Sequence, residues 1–203
     1  FIDTHSHMDI DLKSGSDALA ALSQGITTVI VGQDGDSAMT AASLEAFVTA
    51  KPVTINLATY TGHGGLRDQV MGDDVKRTAT QDEIEKMSLL LKQDLKEGSL
   101  GLSTGLEYDP GIYSSTAEII ALASAAADAG GRYISHIRSE DRALFEAVEE
   151  VITIARETGI SAQISHIKLA RIGLWGRASD LLRRLDQARQ QGIDITADIY
   201  PYT

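Results

Sequence analysis

Short apolar segments alternate along this chain with longer segments that have helical periodicity. The apolar segments are four to seven residues long, and most are rich in valine, isoleucine and threonine, as the buried strands of parallel sheets are. Strands are therefore predicted at seven places: 1–4, 26–31, 53–59, 100–103, 132–136, 161–166 and 194–199.

The intervening segments predict helices, and two of them open with a helix-capping signature. The sequence TQDE at 80–83 is a capping box, and Ile84, Met87 and Leu91 follow it at helical spacing. The sequence STAE at 115–118 is a second capping-box signature. Further helices are predicted at 142–158, near 14–24 and near 176–191.

A strand followed by a helix, repeated six or seven times, indicates a parallel α/β fold. An open doubly wound sheet and a (β/α)8 barrel of the TIM type both fit this order. No glycine-rich phosphate loop follows the first strand, and chemically active residue types lie at the C-terminal ends of several strands. This distribution favours the barrel. With about seven strands in the chain, we expect the barrel to lack its last strand.

The composition narrows the possible partners and the cellular compartment. The chain has 203 residues, of which 43% are hydrophobic and 23% charged, as in ordinary globular proteins. A formal net charge of −11 argues against nucleic acid and against an anionic membrane as partners. No apolar run is long enough to span a bilayer, and the N-terminus does not read as a signal peptide. The absence of cysteine is compatible with the cytoplasm, where we expect the protein.

All five histidines lie at or just past the ends of predicted strands. Side chains two apart on a strand point the same way, so the two histidines in the opening sequence FIDTHSHMD share a face. A single such histidine is more often a buried, hydrogen-bonded imidazole, but several at the converging ends of a barrel favour a metal site that suits zinc. The histidines that end strands are His5, His7, His136 and His166, and His63 lies just past the third strand.

Three aspartates at strand ends could complete such a site. Asp34, in VGQDG after the second strand, could be a ligand, although its spacing alone favours ordinary turn chemistry. Asp3 and Asp198 could orient an imidazole ring or simply cap a strand end.

Several stretches together resemble the N-acyl-D-amino-acid deacylases (D-aminoacylases) of the amidohydrolase superfamily. The resemblance implies a zinc-dependent barrel enzyme that hydrolyses the amide of an N-acyl-D-amino acid, a small-molecule substrate, to a carboxylate and a free D-amino acid. It rests on FIDTHSHMD, GITTVIVGQDG, GHGGLR, GLSTGLEYDPGIYSSTAEIIALA, YISHIRSEDRALFEAVEEVITIA, QISHIKLA, WGR and DIYPYT, in the family's order.

The resemblance also implies a set of metal ligands. His136 and His166 match the ligands of the tightly held zinc, and His5 and His7 match the pair that binds a second, weaker metal. Many relatives have GNCG after the second strand, with the cysteine as a ligand, whereas this chain has GQDG and places Asp34 there. A carboxylate can bridge two divalent ions, and its harder oxygens could admit Mn2+ or Co2+ besides Zn2+. One metal and two both remain open.

The substrate carries an α-carboxylate, so the pocket needs cationic or hydroxyl donors. Tyr108 and Tyr202 match tyrosines that line the family's pocket, with plain packing as the alternative. Arg138 and Lys168 could bind the carboxylate or form salt bridges with loop acids. His63, in TGHGGLR, could face the substrate or brace the loop.

The same resemblance implies a catalytic barrel over residues 1–203 that holds strands 1 to about 7 of a longer protein. The general-base aspartate is expected beyond Thr203, as is the last strand. The small β-sandwich that the family builds from both termini is also expected to lie outside the chain, so we do not expect this chain alone to turn over substrate.

Two other functions stay open. A cyclic-amide hydrolase of the dihydroorotase or hydantoinase type is disfavoured because the fourth strand, SLGLSTG, has no lysine to carboxylate. A non-catalytic metal-containing binding barrel is the other.

Overall fold

The computed structural model describes residues 1–10, 17–37 and 39–200. Its strands are β1 (Ile2–Asp3), β2 (Thr28–Val31), β3 (Asn56–Thr59), β4 (Thr61–Gly62), β5 (Gly101–Gly105), β6 (Arg132–His136), β7 (Ser161–Ile164) and β8 (Ile195–Ala197). Its α-helices are α1 (Leu19–Ser23), α2 (Ala41–Ala50), α3 (His63–Met71), α4 (Gln81–Lys96), α5 (Thr116–Asp128), α6 (Leu144–Thr158) and α7 (Ala178–Gln190). Short 3-10 turns cover Gly72–Asp74, Gly111–Tyr113 and Ile172–Leu174.

Within each of two sheets, every strand pairs in parallel with the next one along the chain, in the orders β1-β2-β3 and β4-β5-β6-β7-β8. The two sheets adjoin within the third predicted strand, which is interrupted at Tyr60. The Tyr60 N–H donates to the Val31 carbonyl at 3.0 Å, and the Leu100 N–H donates to the Thr59 carbonyl at 2.9 Å. The prediction of a (β/α) barrel architecture is confirmed, with the third strand divided in two.

Of the two predicted capping boxes, one is complete in the structure and the other is not. Thr80 and Glu83 form the predicted capping box of α4. Ser115 caps α5 by accepting from the Glu118 N–H at 3.2 Å, but the Glu118 side chain does not return the bond. It turns into the protein instead, so the second capping box is only half formed. Gly159 caps the C-terminal end of α6, and its left-handed conformation suits glycine.

Two helices, α2 and α3, were not predicted. α3 begins directly at the end of β4, so His63 is the first residue of a helix and not part of a loop. The helix predicted near 14–24 is observed only as α1, and residues 11–16 lie outside the described part of the chain.

The hydrophobic core lies between the sheet and the helices that cover it. The larger cluster joins β5–β8 to α3–α7, and the predicted apolar stripe of α6 is buried within it. A smaller cluster around Val29, Val31 and Leu44 packs β2 against α2. Because this packing covers the outside of the sheet, the loops at the C-terminal ends of the strands remain available for chemistry. No helix among the described residues has both the length and the apolar character needed to cross a membrane.

Candidate metal centre

Four imidazoles and one carboxylate converge at or just beyond the C-terminal ends of β1, β2, β6 and β7. Asp34 Oδ1 lies 3.5 Å from His5 Nε2 and 3.7 Å from His166 Nε2. Asp34 Oδ2 lies 3.3 Å from His7 Nε2. His136 Nδ1 lies 2.9 Å from His166 Nε2. We call these five residues the histidine cluster; it contains every metal-ligand candidate of the sequence analysis.

The backbone holds two members of the cluster in an unusual conformation. Asp34 has φ 56° and His166 has φ 34°, in the left-handed region that residues other than glycine rarely adopt. Such strain concentrates at functional sites, where the surroundings impose it. Asp34 is further constrained by Gly105, since a Cβ at that position would lie 2.0 Å from the Asp34 carbonyl oxygen.

The separations in the cluster fit a shared cation. At Zn–N distances of about 2.0–2.1 Å, two ligand atoms of one tetrahedral zinc lie about 3.3 Å apart. The three distances from Asp34 to imidazole nitrogens are 3.3, 3.5 and 3.7 Å. Asp34 Oδ1 and His5 Nδ1 are buried and make no hydrogen bond within the described ranges of the chain. Buried polar atoms without partners are costly in apolar surroundings but expected of metal ligands.

The electrostatics of the cluster keep Asp34 ionised. Burial acts to raise the pKa of Asp34, but interactions with His166, His5 and His7 outweigh it and hold that pKa far below its usual range. Burial acts to lower the pKa of His5, and Asp198 and Asp34 reverse this and raise it to about 9. The cluster is therefore built to hold positive charge around one carboxylate.

Three further carboxylates each lie next to one imidazole of the histidine cluster. Glu107 Oε2 lies 3.1 Å from His136 Nε2, and Glu140 Oε1 lies 2.8 Å from His166 Nδ1. Asp198 Oδ2 lies 3.8 Å from His5 Nδ1, in agreement with one of the two roles considered for it. Asp3 accepts from the His5 backbone N–H at 3.2 Å, which fits the capping alternative.

Sequence reasoning missed Glu107 and Glu140. Glu107 comes two residues after β5, and Glu140 comes four residues after β6. The rule that singled out the histidines, position just past a strand end, could also have found these two acids.

Two cavities open beside the cluster, and Tyr108 lines both. One, of 610 Å³, is lined by His5, His7, His166 and Tyr200, and the other, of 470 Å³, by His7 and Asp34. The Tyr108 hydroxyl lies 3.1 Å from His136 Nδ1. Burial and the nearby Asp34 raise the pKa of Tyr108 to about 12, so it stays a hydrogen-bond donor at neutral pH.

Lys168 lies beside this site and forms the salt bridge with a loop acid, Glu140, that was the alternative to substrate binding. Its Nζ donates to Glu140 Oε1 and, at 3.2 Å, to the His166 carbonyl. Nζ also lies 5.1 Å from the centroid of the Tyr200 ring. About a third of the Lys168 side chain is exposed, so a ligand in the neighbouring cavity could reach its ammonium group.

Two predicted substrate contacts lie elsewhere, and one lies outside the described residues. His63 is completely buried, with Nε2 2.8 Å from Glu118 Oε1, which contradicts a substrate contact and fits the bracing alternative. Arg138 donates twice to Glu150, at 2.9 and 3.0 Å, so the salt-bridge alternative is the one observed. Tyr202 lies outside the described residues.

Comparisons by sequence and by structure find relatives of this chain, although no protein-family model matches it. N-acyl-D-glutamate deacylase of Alcaligenes xylosoxydans xylosoxydans is 35% identical over 224 residues, covering 100% of this chain and 46% of the relative. D-aminoacylase of the same bacterium is 33% identical over 225 residues, with the same two coverages of 100% and 46%. The crystal structure of N-acyl-D-glutamate deacylase from Bordetella bronchiseptica, complexed with zinc and a phosphonate that mimics the tetrahedral intermediate, matches with TM-score 0.94 and 37% identity. That match covers 100% of this chain and 47% of the other. The chain spans about half the length of the relatives that it matches.

Proposed function

Because this chain belongs to the N-acyl-D-amino-acid deacylase (D-aminoacylase) family of the amidohydrolase superfamily, we propose that it forms the catalytic barrel of such an enzyme. The reaction is hydrolysis of the amide bond of an N-acyl-D-amino acid to a carboxylate, such as acetate, and a free D-amino acid. The observation that carries the proposal is the convergence of His5, Asp34, His136 and His166 at the C-terminal ends of four different strands.

The histidine cluster holds one or two divalent ions, zinc first, with Mn2+ or Co2+ as substitutes. His136, His166 and Asp34 are the ligands of the tighter site, and His5 and His7 extend it on the other side of Asp34. A bound divalent ion supplies an activated water near neutral pH and polarises the acyl carbonyl. The fit rests on the donor types, imidazole with carboxylate, and on the buried oxygen of Asp34 that lacks a hydrogen bond in the described part of the chain.

The remaining residues bind and orient the substrate. Lys168 receives the α-carboxylate, because its ammonium group lies 3.1 Å from His166 Nδ1 and over the ring of Tyr200, and both of those residues line the 610 Å³ cavity. Tyr108, held protonated and next to His136, donates a hydrogen bond to the oxygen on which negative charge develops. Tyr202, which follows Tyr200 by two residues, remains a proposed pocket residue by resemblance alone.

The proton from the attacking water needs a carboxylate with a free oxygen. Asp198 Oδ1 accepts from the His166 N–H at 2.6 Å and Oδ2 accepts from Gln163 Nε2 at 2.5 Å, so this carboxylate holds neighbouring residues in place. By resemblance to the family, the base is proposed to be an aspartate beyond Thr203. The barrel boundaries, 1–203, and a cytoplasmic location likewise stay predictions.

Amine release from paired N-acetyl-D- and N-acetyl-L-amino acids, measured on the full-length protein with and without a chelator, tests the proposal. We expect release from the D series only, lost on chelation and restored by zinc. Lys168→Met should raise KM by about 10-fold or more through loss of a charge-assisted bond. The exposed Lys92→Met on the outer face of α4 is the matched control and should leave KM unchanged.

Two results would contradict the proposal. Metal-loaded protein that releases no amine from either series, but opens cyclic amides such as dihydroorotate or hydantoins, would be a cyclic-amide hydrolase. Metal-loaded protein inactive on all three substrate classes would favour the binding barrel.

A further inference from the structure

Glu107 and Glu140 each contact one imidazole of the histidine cluster on the side away from its neighbours. Glu107 meets His136 at Nε2, and Glu140 meets His166 at Nδ1. The opposite nitrogens, His136 Nδ1 and His166 Nε2, face each other at 2.9 Å. The two rings are thus arranged in the same way, with a carboxylate outside and a nitrogen inside.

This arrangement determines where the imidazole protons lie. An ionised carboxylate accepts hydrogen bonds and cannot donate, so it holds a proton on the nitrogen that faces it. A neutral His136 is then protonated at Nε2 and a neutral His166 at Nδ1. With these tautomers two lone pairs face each other at 2.9 Å, an arrangement that a cation bound by both nitrogens would stabilise. The carboxylates therefore turn both rings into ligands for a cation at the centre of the cluster.

The other polar neighbours of the two rings agree with this assignment. The Tyr108 hydroxyl lies 3.1 Å from His136 Nδ1, and a phenol hydroxyl can donate to an imidazole nitrogen that carries no proton. Lys168 Nζ lies 3.1 Å from His166 Nδ1, but its ammonium hydrogens have other acceptors in Glu140 Oε1 and the His166 carbonyl. Among the described residues, Glu140 is the hydrogen-bond acceptor that faces His166 Nδ1, at 2.8 Å.

We propose that Glu107 and Glu140 are positioning residues that fix the tautomers of His136 and His166 and thereby set the affinity for the divalent ion. The inference rests on the metal centre proposed above, and it does not depend on the substrate. Glu140 has the larger effect, because its side chain is 11% exposed whereas that of Glu107 is 38% exposed and more screened by water.

Zinc affinity measured by competition with a chromophoric chelator, together with histidine 15N NMR of the zinc-loaded full-length protein, tests the proposal. A glutamine keeps the shape of the side chain but removes its charge. Glu140→Gln should weaken zinc binding about 10- to 100-fold, and Glu107→Gln by less than about 10-fold. Wild-type spectra should show His136 protonated at Nε2 and His166 at Nδ1, and each variant should lose this preference at its own histidine.

Glu150→Gln is the matched control. Glu150 is a carboxylate of similar exposure, 10% for the side chain, that binds Arg138 and no histidine. Removing the charge of Glu150 should lower the free energy of unfolding without changing the zinc affinity or the tautomer of either histidine. An equal loss of affinity in Glu150→Gln and Glu140→Gln would reduce Glu140 to a structural role and overturn the proposal.

The remaining outcomes separate this inference from the proposed function. If wild-type protein takes up no zinc, both the proposed metal centre and the positioning roles of Glu107 and Glu140 are refuted. If wild-type protein binds zinc but shows the opposite tautomers, the positioning roles alone are refuted. The same holds if Glu140→Gln and Glu107→Gln bind zinc as tightly as wild type. If Glu140→Gln does not fold, the wild-type spectra and Glu107→Gln still decide.

Discussion

Replacing Gly105 by alanine should displace Asp34 and abolish tight metal binding without touching any ligand side chain. Gly105 ends β5 and lies against the Asp34 backbone. A Cβ at residue 105 would lie 2.0 Å from the Asp34 carbonyl oxygen and 2.9 Å from its carbonyl carbon. Both contacts are with backbone, so no side-chain rotation can relieve them.

The size of the displacement follows from these distances. Ordinary contacts begin near 3.4 Å, so the two segments must separate by about 1.4 Å. Even if β5 takes half of this movement, Asp34 shifts by about 0.7 Å, several times the tolerance of about 0.2 Å for a metal–ligand distance. We expect a loss of zinc affinity of at least about 100-fold, and a loss of about 1–3 kcal/mol in the free energy of unfolding from overpacking.

Chelator competition for zinc and urea unfolding of the full-length protein measure the two effects. Gly65→Ala, within α3, is the matched control, because among the described residues its new Cβ would meet Ser37 Oγ alone, at 3.9 Å. Asp34→Asn should reproduce the loss of affinity without the overpacking. Wild-type zinc affinity in a folded Gly105→Ala variant would refute the reasoning, since Asp34 would then be either no ligand or not held in place by Gly105.

The other predictions concern the metal, the buried charges and a helix cap. Asp34→Cys should raise the preference for zinc over manganese in competition titrations, because a thiolate is a softer ligand than a carboxylate. Glu118→Gln leaves Arg67 buried without a carboxylate and should cost about 3–5 kcal/mol in urea unfolding at pH 7. Burial opposes the shift, but His63 and Arg67 lower the pKa of Glu118 in the folded state, so this cost should be full above about pH 4.5 and shrink as the pH falls through the depressed folded value. Thr80→Ala removes the capping box of α4 and should cost about 1 kcal/mol in thermal unfolding, whereas equal stability of the two proteins would show that the cap contributes nothing.

The local sequence pattern was sufficient to predict helices and strands, but it was not sufficient to predict which residues the charged side chains would contact. The spacing of Ile84, Met87 and Leu91 depends only on helical geometry, so α4 could be predicted without knowledge of the fold. The glutamate of STAE, Glu118, has the same local signature as that of TQDE. Its side chain nevertheless contacts buried His63 and accepts from buried Arg67, and it does not cap its own helix. A buried cation costs more when unpaired than a helix end costs without its full cap, and only the fold shows that Arg67 is buried.

The sequence by itself determined the order of strands and helices and the placement of histidines at strand ends. Both follow from periodicity, and parallel strands that lie side by side bring their ends together in any barrel. The tertiary structure alone decided between the roles that remained open. It brought Asp34 within 3.3–3.7 Å of three imidazoles and placed Glu107 and Glu140 next to histidines of the cluster. It also paired Arg138 with Glu150 and buried His63. The physical reason is that the partner of a polar group depends on distances between residues far apart in the chain and on the exclusion of water, which no local pattern contains.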